Sequence, residues 1–127
     1  MKISGPIILI LAITGMGAGA QARLPMSDYP SCDLRAQHAL KSTTGGAITD
    51  ARQAHIGMRT NILQADIGTA RKARRLSETQ TETLWARAEA VRKTANGVVA
   101  KRGFLSAAQR KSYDRMLDSI AIRACRA

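Results

Sequence analysis

The sequence predicts an all-α protein: a three-helix bundle, with helices at about 49–72, 77–97 and 106–124, and a short N-terminal helix at about 32–41. Three observations predict it. One short pattern recurs as Ile48-Thr49-Asp50-Ala51-Arg52, Leu76-Ser77-Glu78-Thr79-Gln80 and Leu105-Ser106-Ala107-Ala108-Gln109; its starts at 48, 76 and 105 lie 28 and 29 residues apart. Each copy joins an aliphatic residue to a hydroxyl. Thr49, Ser77 and Ser106 suit a helix N-cap, and the aliphatic before each can fold back onto the first turn. Second, Ile56, Leu84 and Tyr113 stand eight residues after those starts, and Leu63, Val91 and Ile120 stand fifteen after them, offsets that share one helical face. Third, the only aromatics are Tyr29, Trp85, Phe104 and Tyr113, so the core must be made of Leu, Ile, Val, Met and Ala, which suits closely packed helices.

Taken in order, residues 1–22 have the layout of a cleavable signal peptide: Lys2 at the start, an apolar stretch from Pro6 to Met16, then small residues. Ala18-Gly19-Ala20 and Ala20-Gln21-Ala22 both fit a signal peptidase, and the second, with cleavage after Ala22, is preferred. The apolar run is roughly half the ~20 residues of a spanning helix, and no later segment is apolar enough to span, so a soluble mature product is expected. Residues 23–46 form an N-terminal segment in which Ser31 to Lys41 makes the short helix, with Leu34 and Leu40, and Thr43-Thr44-Gly45-Gly46 makes a loop. Residues 47–127 form the three-helix domain. Its first helix puts Ile56, Leu63, Ile67 and Ala70 on one face, although Gly57 and Gly68 each weaken it by roughly 1 kcal/mol relative to Ala. The second carries Leu84, Ala88, Val91, Ala95 and Val98, with Trp85 beside the stripe as a cover for the core edge or an exposed contact residue, and Asn96-Gly97 ends it or sits in its last turns. Gly103-Phe104 leads into the third, whose stripe is Tyr113, Met116, Leu117, Ile120 and Ala124.

Only Cys32 and Cys125 are available to an exported chain, and an oxidising compartment lets them pair; two buried thiols or a bridge between chains are the alternatives. The formal charge is +11, from 20 Lys and Arg against 9 Asp and Glu, and falls to +10 if Lys2 leaves with the signal. Such a balance attracts polyanions, for an exported protein lipopolysaccharide, acidic phospholipid, acidic glycans or extracellular DNA. The densest basic run is Arg71, Lys72, Arg74 and Arg75, between the first two helices of the bundle. It reads either as an anion-binding corner or as a solvated helix end whose cations complement the helix dipole.

Chemistry-bearing motifs are missing. Gly46-Ala47-Ile48-Thr49 and Gly103-Phe104-Leu105-Ser106 imitate half of a calcium-binding hand, but the ligand positions hold Lys41, Thr43, Gly45 and Arg52 in one case and Val98, Ala100, Arg102 and Gln109 in the other, so no calcium is expected. His38 and His55 with two cysteines have no metal-ligand spacing, and no cofactor is implied. There is no Gly-x-Ser-x-Gly elbow, Walker loop, His-Glu-x-x-His or Cys-x-x-Cys, and His55 as a general base has no identifiable nucleophile beside it. Glu78 and Glu82 sit where they favour a helix N-terminus rather than as a catalytic pair. No motif for sequence-specific nucleic-acid recognition is present.

The stretch from Ala51-Arg52-Gln53-Ala54 through Leu76-Ser77, Gly103-Phe104-Leu105-Ser106 and Leu117-Asp118 resembles a broad group of small exported proteobacterial proteins of unknown function, in which helices follow Gly-x-Leu-Ser/Thr turns. Arg74 stands where that group has Gly in the middle copy, and the Cys32/Cys125 pair is not one of its features. The resemblance implies a Gram-negative envelope setting and no particular activity. The expectation is a periplasmic or secreted, non-enzymatic binding protein, for a protein partner or, alternatively, an anionic envelope component; an enzyme or enzyme inhibitor ranks third.

Overall fold

A computed structural model describes residues 23–127; the expected signal peptide, 1–22, lies outside the described residues. A 3-10 turn, Pro30–Cys32, precedes helices α1 (Leu34–His38), α2 (Ala51–Lys72), α3 (Glu78–Arg102) and α4 (Ala107–Cys125). The three long helices pack pairwise on one another, and the 3-10 turn lies against α2 and α4. The all-α expectation is met.

The core is the predicted stripe. Ile56, Leu84 and Tyr113, and then Leu63, Val91 and Ile120, are all buried, joined by Ile67, Ala70, Ala88, Ala95, Leu117 and Ala124. Leu24 and Tyr29 from the segment before the bundle lie in the same cluster. Met116 departs from the expectation: it is 49% exposed, because Tyr113, Leu117 and Ile120 already fill that face of α4 and Met116 sits on its flank.

Helix boundaries follow capping chemistry. Ser77 and Ser106 each accept from the backbone amide three residues on, while Gln80 and Gln109 reach back to the Ser77 and Ser106 amides, a reciprocal box that explains why the pattern ends in Gln. In those two copies the leading Leu76 and Leu105 are buried. The first copy breaks step. Its cap is Asp50 rather than Thr49: the Asp50 carboxylate accepts from Gln53 N at 2.8 Å, and Ile48 is left 38% exposed. Asp is at least as good a cap as Thr, and Gly46, at φ 59°, closes a tight Gly45–Ile48 turn that delivers the chain one residue later.

Two further boundaries differ. The short N-terminal helix is not continuous over 32–41, because Asp33 leaves helical geometry and caps α1 by accepting from Ala36 N at 3.0 Å. α3 does not stop at 97. It runs through Asn96-Gly97 to Arg102, held by Ala95, Val98 and Val99 against the core, and ends where Gly103 turns left-handed at φ 87°.

The end of α2 has the same left-handed turn without glycine. Arg74 adopts φ 59°, Arg74 N donates to Arg71 O at 2.9 Å and Arg75 N to Ala70 O at 2.8 Å. Those two bonds are a Schellman closure built on an arginine.

Cys32 and Cys125 are joined, with Cα atoms 5.8 Å apart, so the bond ties the 3-10 turn to the last turn of α4. Beside it Leu24 N donates to Cys125 O at 3.0 Å and Ser31 N to the Asp66 carboxylate of α2 at 2.8 Å.

Candidate functional site

The apolar stripes of α2 and α4 are each interrupted by a charge. Arg59, between Ile56 and Leu63, is 2% exposed, and Asp114, next to Tyr113, is 3% exposed. The two meet: Arg59 donates to Asp114 Oδ1 at 2.7 Å and, through its other terminal nitrogen, to Asp118 Oδ1 at 2.7 Å. His55, one turn before Arg59, places Nε2 2.8 Å from Asp114 Oδ1 and Nδ1 3.0 Å from the Leu40 carbonyl. His38 reaches the second oxygen of Asp118 at 2.7 Å. Burial pushes the Asp114 carboxyl up, but hydrogen bonds from His55 and Arg59 outweigh it and hold the group below the ordinary range. A second polar contact joins α2 to α3, where the Arg92 guanidinium and the Gln64 amide hold Glu89 below its ordinary value.

His38 and His55 of this network line a cleft of about 380 Å³ together with Lys41, Ser42, Arg52 and Arg110. Arg110 donates to the His38 carbonyl at 2.9 Å and lies 3.5 Å from Asp114 Oδ2. Arg52 donates to the Leu105 carbonyl at 2.9 Å. Lys41 and Arg52 take part in no ion pair among the described residues. The cleft continues past Arg110 toward Ala107 and Lys111. Both ring nitrogens of His55 are engaged, Nε2 with Asp114 and Nδ1 with the Leu40 carbonyl, and the Arg110 guanidinium lies 3.2 Å from Nε2.

Of the residues that sequence reasoning singled out, Arg71, Lys72, Arg74 and Arg75 come together on the α2–α3 turn, all exposed, with Arg71 3.3 Å from Glu78. None of the four lines the cleft at Arg52 or its continuation. Trp85 is 45% exposed, and its carbonyl accepts from Gln64. Arg59, Asp114 and Asp118 were missed as a unit. The signal available was a lone charge inside each of two apolar stripes, opposite in sign.

Only four Lys or Arg side chains, Arg59, Arg71, Arg92 and Arg110, form ion pairs with a carboxylate among the described residues. Those residues hold 19 Lys and Arg, the 20 of the chain less Lys2. Among them, no three His, Cys, Asp or Glu are grouped to hold a metal ion, and no helix is long and apolar enough to cross a membrane. Set against known protein families, curated proteins and solved structures, the chain matches none.

Proposed function

We propose that this chain is an exported, disulfide-closed helical binding protein without enzymatic activity, and that its partner is an anionic component of the cell envelope or its surroundings. One observation carries the reading: most of the cations lack a carboxylate partner, while seven of the nine acidic side chains are already engaged. Asp114, Asp118, Glu78 and Glu89 sit in ion pairs, Asp33 and Asp50 cap helices, and Asp66 holds a backbone amide. Fifteen of the 19 basic side chains have no such partner, so the positive charge is presented to solvent rather than neutralised within the fold.

Export rests on the signal-like residues 1–22 and on a disulfide that an oxidising compartment would form and keep. The non-enzymatic reading rests on the missing catalytic motifs and on a histidine whose two ring nitrogens are both engaged.

The test is binding of the processed protein, Arg23 to Ala127, to vesicles of anionic and of neutral phospholipid and to lipopolysaccharide. Binding to the anionic surfaces should weaken steeply as salt rises, because exposed charges are screened beyond about 10 Å at 0.1 M. Changing Arg71, Lys72, Arg74 and Arg75 together to Gln should weaken it further while helix content is kept. No binding to any anionic surface at low salt ends this reading in favour of a protein partner.

A further inference from the structure

We infer that the cleft between residues 38–42 and the opening turns of α2 and α4 is a binding site for one phosphate group, either free in solution or borne by a lipid headgroup. The inference deepens the anionic-partner reading and rests on it for the class of ligand, but on its own geometry for the place.

Charge and concavity coincide here. Lys41, Arg52, Arg110 and Lys111 line the cleft or its continuation; Asp114 is in that lining, and Asp118 and Asp50 stand behind it, bonded to His38 and capping α2. All three carboxylates are occupied: Asp114 by His55 and Arg59, Asp118 by His38 and Arg59, and Asp50 by the Gln53 and Leu105 amides. The net positive charge therefore belongs to groups that still have donors to offer.

Those donors are already positioned. Arg52 is anchored through one terminal nitrogen to the Leu105 carbonyl and Arg110 through one to the His38 carbonyl, so each guanidinium is oriented before a ligand arrives and retains other N–H groups. Ser42 lines the same cleft, and its hydroxyl has no hydrogen-bond partner. Oriented guanidinium forks with an ammonium and a hydroxyl match the several oxygens of a phosphate better than the two of a carboxylate. Ala51 and Ala107, the first residues of α2 and α4, line the cleft and its continuation, so the positive ends of two helices add to the field. The Arg71–Arg75 corner has comparable charge, but its side chains are exposed and line neither the cleft nor its continuation.

The experiment uses the processed protein, inorganic phosphate against chloride at equal ionic strength, and the ring resonances of His38 and His55, the chain's two histidines. Phosphate should move both sets of resonances along a saturable curve that chloride does not reproduce. Lys41→Gln with Arg52→Gln, both exposed and outside the core, should weaken that binding at least tenfold with helix content unchanged, whereas the fourfold Gln change at residues 71, 72, 74 and 75 should leave it intact. Neutral vesicles doped with phosphatidic acid distinguish the source: saturation by vesicles but not by inorganic phosphate assigns the cleft to a lipid headgroup. If neither probe saturates the histidine shifts, or if the double variant binds as the parent does, the cleft is not a phosphate site, even where salt-sensitive binding to anionic vesicles persists. Saturable phosphate binding without any vesicle binding keeps the cleft and ends the wider surface reading instead.

Discussion

Replacing Asp114 by Asn should be among the most damaging single changes in the protein. Arg59 is anchored to Asp114 at 2.7 Å with the two side chains only 2% and 5% exposed, so the guanidinium has little water to fall back on. Asn keeps the shape but removes the charge, and it also takes from His55 the carboxylate that faces Nε2. Breaking a buried pair from one side costs about 3–5 kcal/mol, because the remaining charge stays desolvated. Asp118, 19% exposed, still reaches Arg59 and places the loss toward the lower end. About 3 kcal/mol corresponds to a fall in Tm of roughly 12 °C or more for a domain this size. Urea denaturation followed by circular dichroism gives the free energy directly, provided the slope is unchanged between variants. The same reasoning makes the double change Arg59→Met with Asp114→Leu cost clearly less than the sum of its two single changes, since no buried charge is left unpaired. A loss below about 1 kcal/mol for Asp114→Asn, or strict additivity in the cycle, would refute the view that this pair is a strongly coupled element of the core.

Three other outcomes are expected. Removing the Cys32–Cys125 bond, whose ends lie 93 residues apart, should lower stability by about 4–5 kcal/mol in the chain-entropy picture, read from urea midpoints of the Cys32→Ser, Cys125→Ser protein. Arg74→Gly should raise stability by about 1 kcal/mol, since it relieves a left-handed arginine at a Schellman closure and costs only the greater freedom of glycine in the unfolded chain; a lower midpoint would show that Arg74 contributes through its side chain. Because the folded pKa of Asp114 is lowered, the stability it contributes is fully present above the ordinary carboxylate value of 3.8 and lost as pH falls through the lower folded value, so acid unfolding should be shallower in Asp114→Asn than in the parent.

The fold was legible where periodicity and capping act alone. Leu84, Ala88 and Val91 on α3, and Tyr113, Leu117 and Ile120 on α4, lie inside because nothing local competes with a 3.6-residue stripe. Misplaced boundaries fell where two local signals compete. Thr49 and Asp50 are both good caps one residue apart, and the Gly45–Ile48 turn selects the second. Asn96-Gly97 looks like a terminus in isolation, but Val98 and Val99 still have core to cover, and that burial outweighs the roughly 1 kcal/mol penalty of a helical glycine. Asp33 reverses the case: read by charge alone it is a surface residue, whereas its short carboxylate caps α1 and so divides the expected helix.

The candidate site was harder to read because its parts are far apart in sequence and bland one at a time. Arg52, His55 and Arg59 come from α2, His38 to Ser42 from the segment before it, and Arg110, Asp114 and Asp118 from α4; contacts spanning 55 to 80 residues join them. A composition count registers the same arginines as undifferentiated positive charge. The dense Arg71–Arg75 run attracts notice because its members are consecutive, but consecutive residues at a helix end fan outward around the turn. Convergence on one concave surface needs contributions from different elements. Here it comes from α2 and α4, which run parallel with both N-termini at the same end, so that the His55–Asp114 and Arg52–Leu105 contacts can form side by side. The buried Arg59–Asp114 pair then has a consequence beyond stability. It fixes the relative register of those two helices, and with it the spacing of Arg52 and Arg110 across the cleft.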